Sequence, residues 1–198
     1  MVEHYYSREP AAPRREREIR CTLRGREYTF ITDSGVFSKS RIDPGTELLI
    51  EAMTILPHDV VLDLGCGYGP IGIVAANLAS HGRVYLVDVN ERACELARRN
   101  IGRNGILNAE VRCGEGLSAV DGIEFDAILS NPPIRAGKAV VYGMIEEARE
   151  HLRPGGTMWM VARTKQGARS LRARIQEVFG NAREVEKGGG YRVICTEK

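Results

Sequence analysis

Apolar residues change period repeatedly along this chain, and each change marks a predicted element. A β-branched run at 60–64 (Val60-Val61-Leu62-Asp63-Leu64) predicts a strand, and the apolar stretch opening at Pro70 predicts a helix over 70–80. The same switch recurs as strand 83–88 then helix 91–104, strand 109–112, strand 125–129 then helix 138–151, and strand 157–162 then helix 167–178. Two last strands, 182–187 and 191–196, flank Lys187-Gly188-Gly189-Gly190. Strand–helix alternation specifies an α/β fold, a parallel sheet covered by helices on both faces. The closing hairpin adds an antiparallel strand. Upstream, short β-like runs at 19–23 and 28–31 flank Arg24-Gly25-Arg26 and predict a hairpin. Asp43-Pro44-Gly45-Thr46 then caps a helix whose Leu48, Leu49, Ala52, Met53 and Leu56 recur at helical spacing. Residues 1–16 mix Pro, Arg and Glu without period and are expected to be a flexible arm; residues 17–40 form the hairpin and a loop carrying Phe37.

Composition narrows the class. A chain of 198 residues predicts one domain spanning 1–198 with a real core. No stretch approaches the ~18 apolar residues of a membrane span, and the polar start, Met1 to Pro10, lacks a signal-peptide apolar segment. Cys21, Cys66, Cys94, Cys113 and Cys195 lack C-x-x-C spacing, which argues for reduced thiols in a cytoplasmic protein and against a zinc site, so no metal is expected. A net charge of +2 permits a nucleic-acid partner without demanding one.

The densest chemical signal is Asp63-Leu64-Gly65-Cys66-Gly67-Tyr68-Gly69-Pro70, a strand, a tight turn and a helix start. Glycines let the backbone turn sharply and approach a ligand closely, and Pro70 suits a first helical turn. The spacing Gly67-x-Gly69-x-x-Gly72 with Asp88 downstream also fits a dinucleotide fingerprint. Asp63 argues against it, because a carboxylate before the glycines repels a pyrophosphate and suits a ligand carrying an ammonium. An acid followed by Gly-x-Gly-x-Gly resembles the first motif of class I S-adenosylmethionine (SAM) methyltransferases. That assigns Asp63, Gly65, Cys66 and Gly67 to the cofactor.

Asp88, ending the second core strand before Val89-Asn90, can accept both ribose hydroxyls of an adenosine, a role common to NAD and SAM sites. The competing reading is a helix cap, a role that suits Asn90 better. Gly114-Glu115 follows the third strand, where a backbone N–H and an acid can read an adenine edge. A solvated loop acid is the alternative.

Ser130-Asn131-Pro132-Pro133 follows the fourth core strand. A proline after Asn131 biases it away from helix, and two prolines stiffen the turn. An exocyclic amine on a purine is a poor nucleophile, since its lone pair is delocalised into the ring. The Asn131 side-chain oxygen and the Pro132 carbonyl are two acceptors able to hold the amine hydrogens and aim the lone pair. Catalysis is then positioning plus fixed dipoles, with Asn131, Pro132 and Pro133 as its candidates and Asn131 also beside the cofactor.

Asn-Pro-Pro at this place resembles the amine-directed class I methyltransferases. Glu3-His4-Tyr5-Tyr6-Ser7, Asp33-Ser34-Gly35-Val36-Phe37-Ser38-Lys39 and Asn131-Pro132-Pro133-Ile134-Arg135-Ala136-Gly137-Lys138 are similar to short members of the RsmC-type family, the ribosomal RNA guanine-N2 methyltransferases. The resemblance implies a Rossmann-like class I methyltransferase fold: a mostly parallel seven-stranded sheet, an antiparallel C-terminal hairpin and a small N-terminal β-hairpin. It implies SAM as cofactor and ribosomal RNA or the small ribosomal subunit as partner, with transfer to a guanine N2 amine. It also makes Phe37, Ser38 and Lys39 a lid over cofactor or flipped base, the competing role of Phe37 being to pack the hairpin onto the sheet. Ile134, Arg135 and Lys138 are then RNA- or substrate-contacting residues. Long members carry an extra N-terminal domain that this chain lacks room for.

Adenine-N6 and protein-glutamine enzymes usually place an aromatic residue where this chain has Ile134, which counts against those substrates. A noncatalytic RNA-binding module is the further alternative, and a dehydrogenase lacks any hydride-transfer acid or base here. The run Arg163, Lys165, Arg169, Arg172 and Arg174 contains no acid and offers phosphates a partner, or is simply a solvated face. The alternating Arg14-Arg15-Glu16-Arg17-Glu18 is a weaker candidate for the same role.

Overall fold

Two antiparallel strands, β1 (Arg17–Leu23) and β2 (Arg26–Thr32), open the described chain. The structure is a computed structural model that describes residues 13–38 and 40–198, without the side chain of Arg135. The turn between the strands has only two residues, Arg24 at φ 48° and Gly25 at φ 74°. Left-handed values at both central positions match the twist of a two-residue hairpin. The strain at Arg24 is offset by its side chain, whose guanidinium donates to the carbonyls of Ile50 and Met53 at 3.0 and 2.9 Å. Those carbonyls close the helix α1 (Pro44–Ala52), whose N-terminus Asp43 caps as its sequence predicts.

The core then alternates: β3 (Val60–Leu64), α2 (Pro70–Leu78), β4 (Arg83–Asp88), α3 (Glu91–Arg103), β5 (Ala109–Cys113), β6 (Phe125–Ser130), α4 (Lys138–His151), β7 (Leu152–Arg163), α5 (Ala168–Phe179), β8 (Arg183–Gly188) and β9 (Tyr191–Glu197). Single 3-10 turns cover Gly116–Val120 and Ile134–Ala136. The seven strands stand in the order β5-β4-β3-β6-β7-β9-β8. β5, β4, β3, β6 and β7 run parallel, whereas β9 is antiparallel to β7 and β8 to β9. This is the seven-stranded, mostly parallel sheet with an antiparallel end that the sequence predicts.

The two sides of each strand feed different cores, as a period of two requires. Val61, Ala127, Leu129, Trp159 and Val161 join the core under α1, α2, α3 and the hairpin. Leu62, Ile128, Met158 and Met160 join the core under α4, α5 and the turn at 116–120. β7 begins at Leu152, not at 157, because Leu152 pairs with Phe125 before a register irregularity lets Ala127 pair with Thr157. The intervening Pro154-Gly155-Gly156 reads as a turn in sequence, which hid the first part of the strand.

The hairpin is held to α3 by side chains acting as a surrogate strand. Asn100, fully buried, accepts from Ile31 N at 2.7 Å and donates to Ile31 O and Tyr68 O, both at 2.9 Å. Asn104 brackets Thr29 in the same way, at 3.1 and 2.9 Å. Along the outside, Arg14 pairs with Glu95, Glu16 with Arg99 and Glu18 with Arg103. Residues 14–16 therefore lie along α3 and are not a free arm. Arg14, Glu16 and Glu18 mate with a helix of the same chain, which takes Arg14 out of a free basic run. Residues 1–12, including Glu3-His4-Tyr5-Tyr6-Ser7, lie outside the described residues.

Candidate active site

The carboxyl ends of β3, β4, β5 and β6 are tied together at one edge of the sheet. Gly65 N and Cys66 N donate to Val87 O at 2.8 and 2.9 Å, and Gly114 N donates to Asp88 O at 3.0 Å. The buried Ser130 hydroxyl donates to Leu64 O at 2.8 Å, which brings Asn131 alongside the glycine turn. A cavity of about 660 Å³ opens over these ends, within the range of small-molecule sites and at the switch point where an open α/β sheet binds its ligands.

Gly65-Cys66-Gly67 forms the floor of the cavity beneath the start of α2. Gly67 has φ +58°, and a Cβ there would meet nothing within 4 Å, so the space above it is open to the cavity. Gly72 is constrained for the opposite reason: a Cβ would lie 2.5 Å from Leu86 Cγ, because α2 presses directly on β4. Cys66 is buried, and burial pushes its thiol well above the ordinary range. It lines the cavity as a small apolar group.

Asp63 does not line the cavity. It shares the strand face of Val61, under α2, where its Oδ2 accepts from Gly72 N at 2.8 Å. It is fully buried, its Oδ1 has no partner among the described residues, and burial raises its carboxyl to about 7. The expected direct contact between this acid and a ligand ammonium is corrected accordingly: the acid pins α2 to β3 and stands one layer beneath the turn.

Asp88 lines the cavity. Its Oδ2 accepts from Gly67 N at 2.8 Å and its Oδ1 from Asn90 N at 2.9 Å. The backbone N–H of Val89 also bonds to this carboxylate, and what acceptor capacity the two oxygens keep is available to ligand hydroxyls. Burial raises its carboxyl against these backbone donors. Val89, Gly114 and the exposed Glu115 stand beside it on the wall. Asn90 also reaches the wall, but its side chain is engaged: Oδ1 caps α3 through Arg92 N and Ala93 N, and Nδ2 donates to Gly35 O at 3.0 Å. Asn90 thus anchors the loop that carries Phe37, a task its sequence context does not reveal.

Asn131, Pro132 and Pro133 form the opposite wall. Asn131 Nδ2 donates to Thr46 Oγ1 at 2.9 Å and to Asp43 Oδ2 at 3.3 Å. Pro133 has φ −74° and ψ 77°, and the Pro132 carbonyl accepts from Ile134 N at 2.8 Å, an inverse γ-turn. One lone pair of that carbonyl is thereby used, and one remains for a ligand.

Phe37 and Ser38 close the cavity from the hairpin side. Ser38 holds φ +56°, supported by its hydroxyl donating to Arg41 O at 2.6 Å. Lys39 and the Arg135 side chain lie outside the described residues. Ile134 and Lys138 do not line the cavity: Ile134 packs against the core under α4 and α5, and Lys138 is exposed at the start of α4. The basic run does not act as one free face either. Arg174 pairs with Glu146 and Glu177, Arg172 donates to Ala182 O, and Arg163 stacks on Tyr191 at 4.9 Å.

Sequence reasoning missed the wall supplied by α4, namely Ala139, Val140, Gly143, Met144 and Glu147. The signal was available, since a helix starting seven residues after Asn131 must begin at the cavity mouth. It also missed Asp43 and Thr46 as cavity residues, because a cap motif announces only its own helix.

The floor and wall fit SAM. Open space over the Cβ-less turn admits a ligand backbone closely, Asp88 offers two acceptors, and the cavity walls are mostly apolar. Among the described residues no Lys or Arg lines the cavity, and a buried acid lies beneath the turn.

The family profile described as Methyltransferase small domain matches residues 27–195. A protein of Bacillus subtilis named YbxB is 42% identical over 200 residues, covering all of both chains. A ribosomal RNA small subunit methyltransferase C of Pseudomonas syringae is 31% identical over 186 residues, 92% of this chain and 54% of its own. Among solved structures, the 16S rRNA N2 methyltransferase RsmC of T. thermophilus, in complex with AdoMet and guanosine, superposes with a TM-score of 0.84 at 27% identity. That match covers 96% of this chain and 52% of the other. The chain spans about half the length of the relatives that carry the methyltransferase C name.

Proposed function

Since the chain belongs to the methyltransferase small domain family, and is therefore a SAM-dependent methyltransferase of the Rossmann-like class, we propose that it methylates the exocyclic N2 amine of a guanine in small-subunit ribosomal RNA. The observation that carries this reading is the placement of Asn131 and Pro132 on the wall of the cavity whose floor is Gly65-Cys66-Gly67 and whose far side carries Asp88. A rigid acceptor pair there faces a site suited to a nucleoside cofactor.

SAM supplies an electrophilic methyl carbon. The glycine turn and the first turn of α2 receive its amino-acid end, and the two carboxylate oxygens of Asp88 accept its ribose hydroxyls. Gly114 and Glu115 border the adenine. The Asn131 side-chain oxygen and the free lone pair of the Pro132 carbonyl accept the two amine hydrogens of the base. That restrains the nitrogen and directs its lone pair across the cavity, so the chain contributes orientation more than proton transfer. Phe37 offers an aromatic face for a base taken out of its stack. The names of the curated relatives support small-subunit ribosomal RNA as the substrate, and the N2 specificity and guanosine of the T. thermophilus structure support guanine over adenine. So does Ile134, an aliphatic side chain that packs partly buried against the core and offers no aromatic stacking surface.

Labelled methyl transfer to naked ribosomal RNA, to small subunits and to a protein mixture, followed by nucleoside analysis, tests the reading. The expected product is N2-methylguanosine. N6-methyladenosine or methylated glutamine would overturn it. Asn131→Ala is expected to lower transfer at least about 100-fold with SAM affinity changed less than about threefold.

A further inference from the structure

We propose that Asp43 is a positioning residue that sets which end of the Asn131 amide faces the substrate, an inference that rests on the functional reading above. The two residues are 88 positions apart in the chain. Asp43 is 7% exposed, and its carboxylate gathers four donors. Oδ2 accepts from Gly45 N at 2.8 Å, Thr46 N at 3.2 Å and Asn131 Nδ2 at 3.3 Å; Oδ1 accepts from the Tyr191 hydroxyl at 3.0 Å. Two of these donors only cap α1. The other two do not belong to a cap, and one of them is the catalytic amide.

The argument is one of donor and acceptor types. A carboxylate accepts hydrogen bonds and donates none, while a side-chain amide has one accepting and one donating end. The end of Asn131 that meets Asp43 is therefore its NH2. The Thr46 hydroxyl, which turns to suit either partner, receives the same nitrogen at 2.9 Å. The amide oxygen is left turned away from the carboxylate, as an acceptor for a substrate amine. With the amide reversed, its oxygen would oppose Asp43, acceptor against acceptor. Its hydrogens would then oppose those of the amine. Tyr191 holds Asp43 in place: a Cβ at Gly45 would lie 2.5 Å from its ring, so the cap loop lies flat against the tyrosine.

The test separates the cap from the orientation. Asp43→Ser keeps a good N-cap but is too short to reach Asn131. Asp43→Asn keeps an oxygen for both. The Ser variant is expected to fold with a melting temperature within about 3 °C of the parent and to lose about 10- to 100-fold in kcat on RNA. Its affinity for SAM, by calorimetry, stays within about threefold, and the Asn variant recovers kcat to within about fivefold. The side-chain 15N–1H2 signals of Asn131, assigned by their loss in Asn131→Ala, should exchange slowly with solvent in the parent and the Asn variant and rapidly in the Ser variant. Parental kcat in the Ser variant, a loss of SAM affinity in proportion to kcat, or unaltered amide exchange would each overturn the proposal. If the Ser variant does not fold, the Asn131 signals of the parent decide: side-chain NH2 protons that exchange slowly support the proposal, and exchange as fast as that of a solvent-exposed amide overturns it. A parent that transfers no methyl group to RNA would overturn the functional reading instead, and amide exchange in the free protein would still decide the orientation.

Discussion

The Asp88 carboxylate and the backbone N–H of Gly67 lie 2.8 Å apart across the ends of adjacent strands, so one acid both shapes the glycine turn and faces the cavity. Its two tasks separate by mutation. Asp88→Asn keeps the size and one accepting end but sets its NH2 against one of the two backbone N–H donors, and should weaken SAM binding about tenfold, near 1.4 kcal/mol. Asp88→Ala also orphans the N–H groups of Gly67 and Asn90, and should weaken binding about 100-fold while lowering the melting temperature. Calorimetric titration and thermal unfolding of both variants check the pair. Equal losses would assign the residue to shape alone.

Gly67, in the turn, and Gly72, in the first turn of α2, stand five residues apart and answer to different constraints. Gly72→Ala drives a Cβ into Leu86 at 2.5 Å, and overpacking of this kind costs about 1–3 kcal/mol. It should lower the melting temperature in the presence and absence of SAM alike. Gly67→Ala meets no atom but must hold φ +58° and protrudes into the cavity. It should cost only about 1 kcal/mol of stability and reduce SAM affinity by a larger factor. Melting curves at zero and saturating SAM distinguish the two.

Asp63 makes stability depend on pH in an unusual direction. Its carboxyl is raised by burial from the ordinary carboxylate value of 3.8 to about 7, so the folded chain holds a proton that the unfolded chain has released. Stability from this group is therefore full below pH 3.8, declines as pH rises, and is lost above about 7. The upper bound of the effect is roughly 4 kcal/mol. Asp63→Asn removes the titration and keeps an oxygen for Gly72 N. The variant should gain on the parent in melting temperature between pH 4 and pH 8, measured without SAM. A difference that stays flat with pH would refute the raised value.

Phe37 sits half-buried on the cavity wall. Aromatic stacking on a single base contributes about 1–3 kcal/mol. Phe37→Ala should raise KM for RNA about tenfold, with SAM affinity and melting temperature nearly unchanged. A collapse in melting temperature would instead show that Phe37 packs the hairpin onto the sheet.

The alternation of strand and helix was legible because period two and period 3.6 leave different marks, and the core elements lie within a few residues of their reading except at the start of β7, five residues earlier than read. Asp88 and Gly114 were legible because a strand's carboxyl end is a place that sequence can locate. The position of Asp63 was not, since its motif does not say on which strand face the acid falls; sharing the face of Val61 puts it beneath α2. The partners of Asn131 were hidden for another reason. Asp43 and Thr46 reach it only after the sheet has closed 85 residues or more of chain, and nothing local to either segment records that meeting.

The outer ion pairs match two different rulers. Arg14, Glu16 and Glu18 advance along an extended chain by about 6.6 Å for every two residues, and Glu95, Arg99 and Arg103 advance along α3 by about 6.0 Å for every four. The two scales coincide over this short span like a vernier. Sliding the N-terminal segment by two residues would set Glu16 opposite Glu95, two like charges. Each exposed pair contributes little by itself, yet together the three penalise a mis-seated hairpin, and with it a misplaced Phe37. Salt should therefore blur the closing of the cavity before it loosens the sheet.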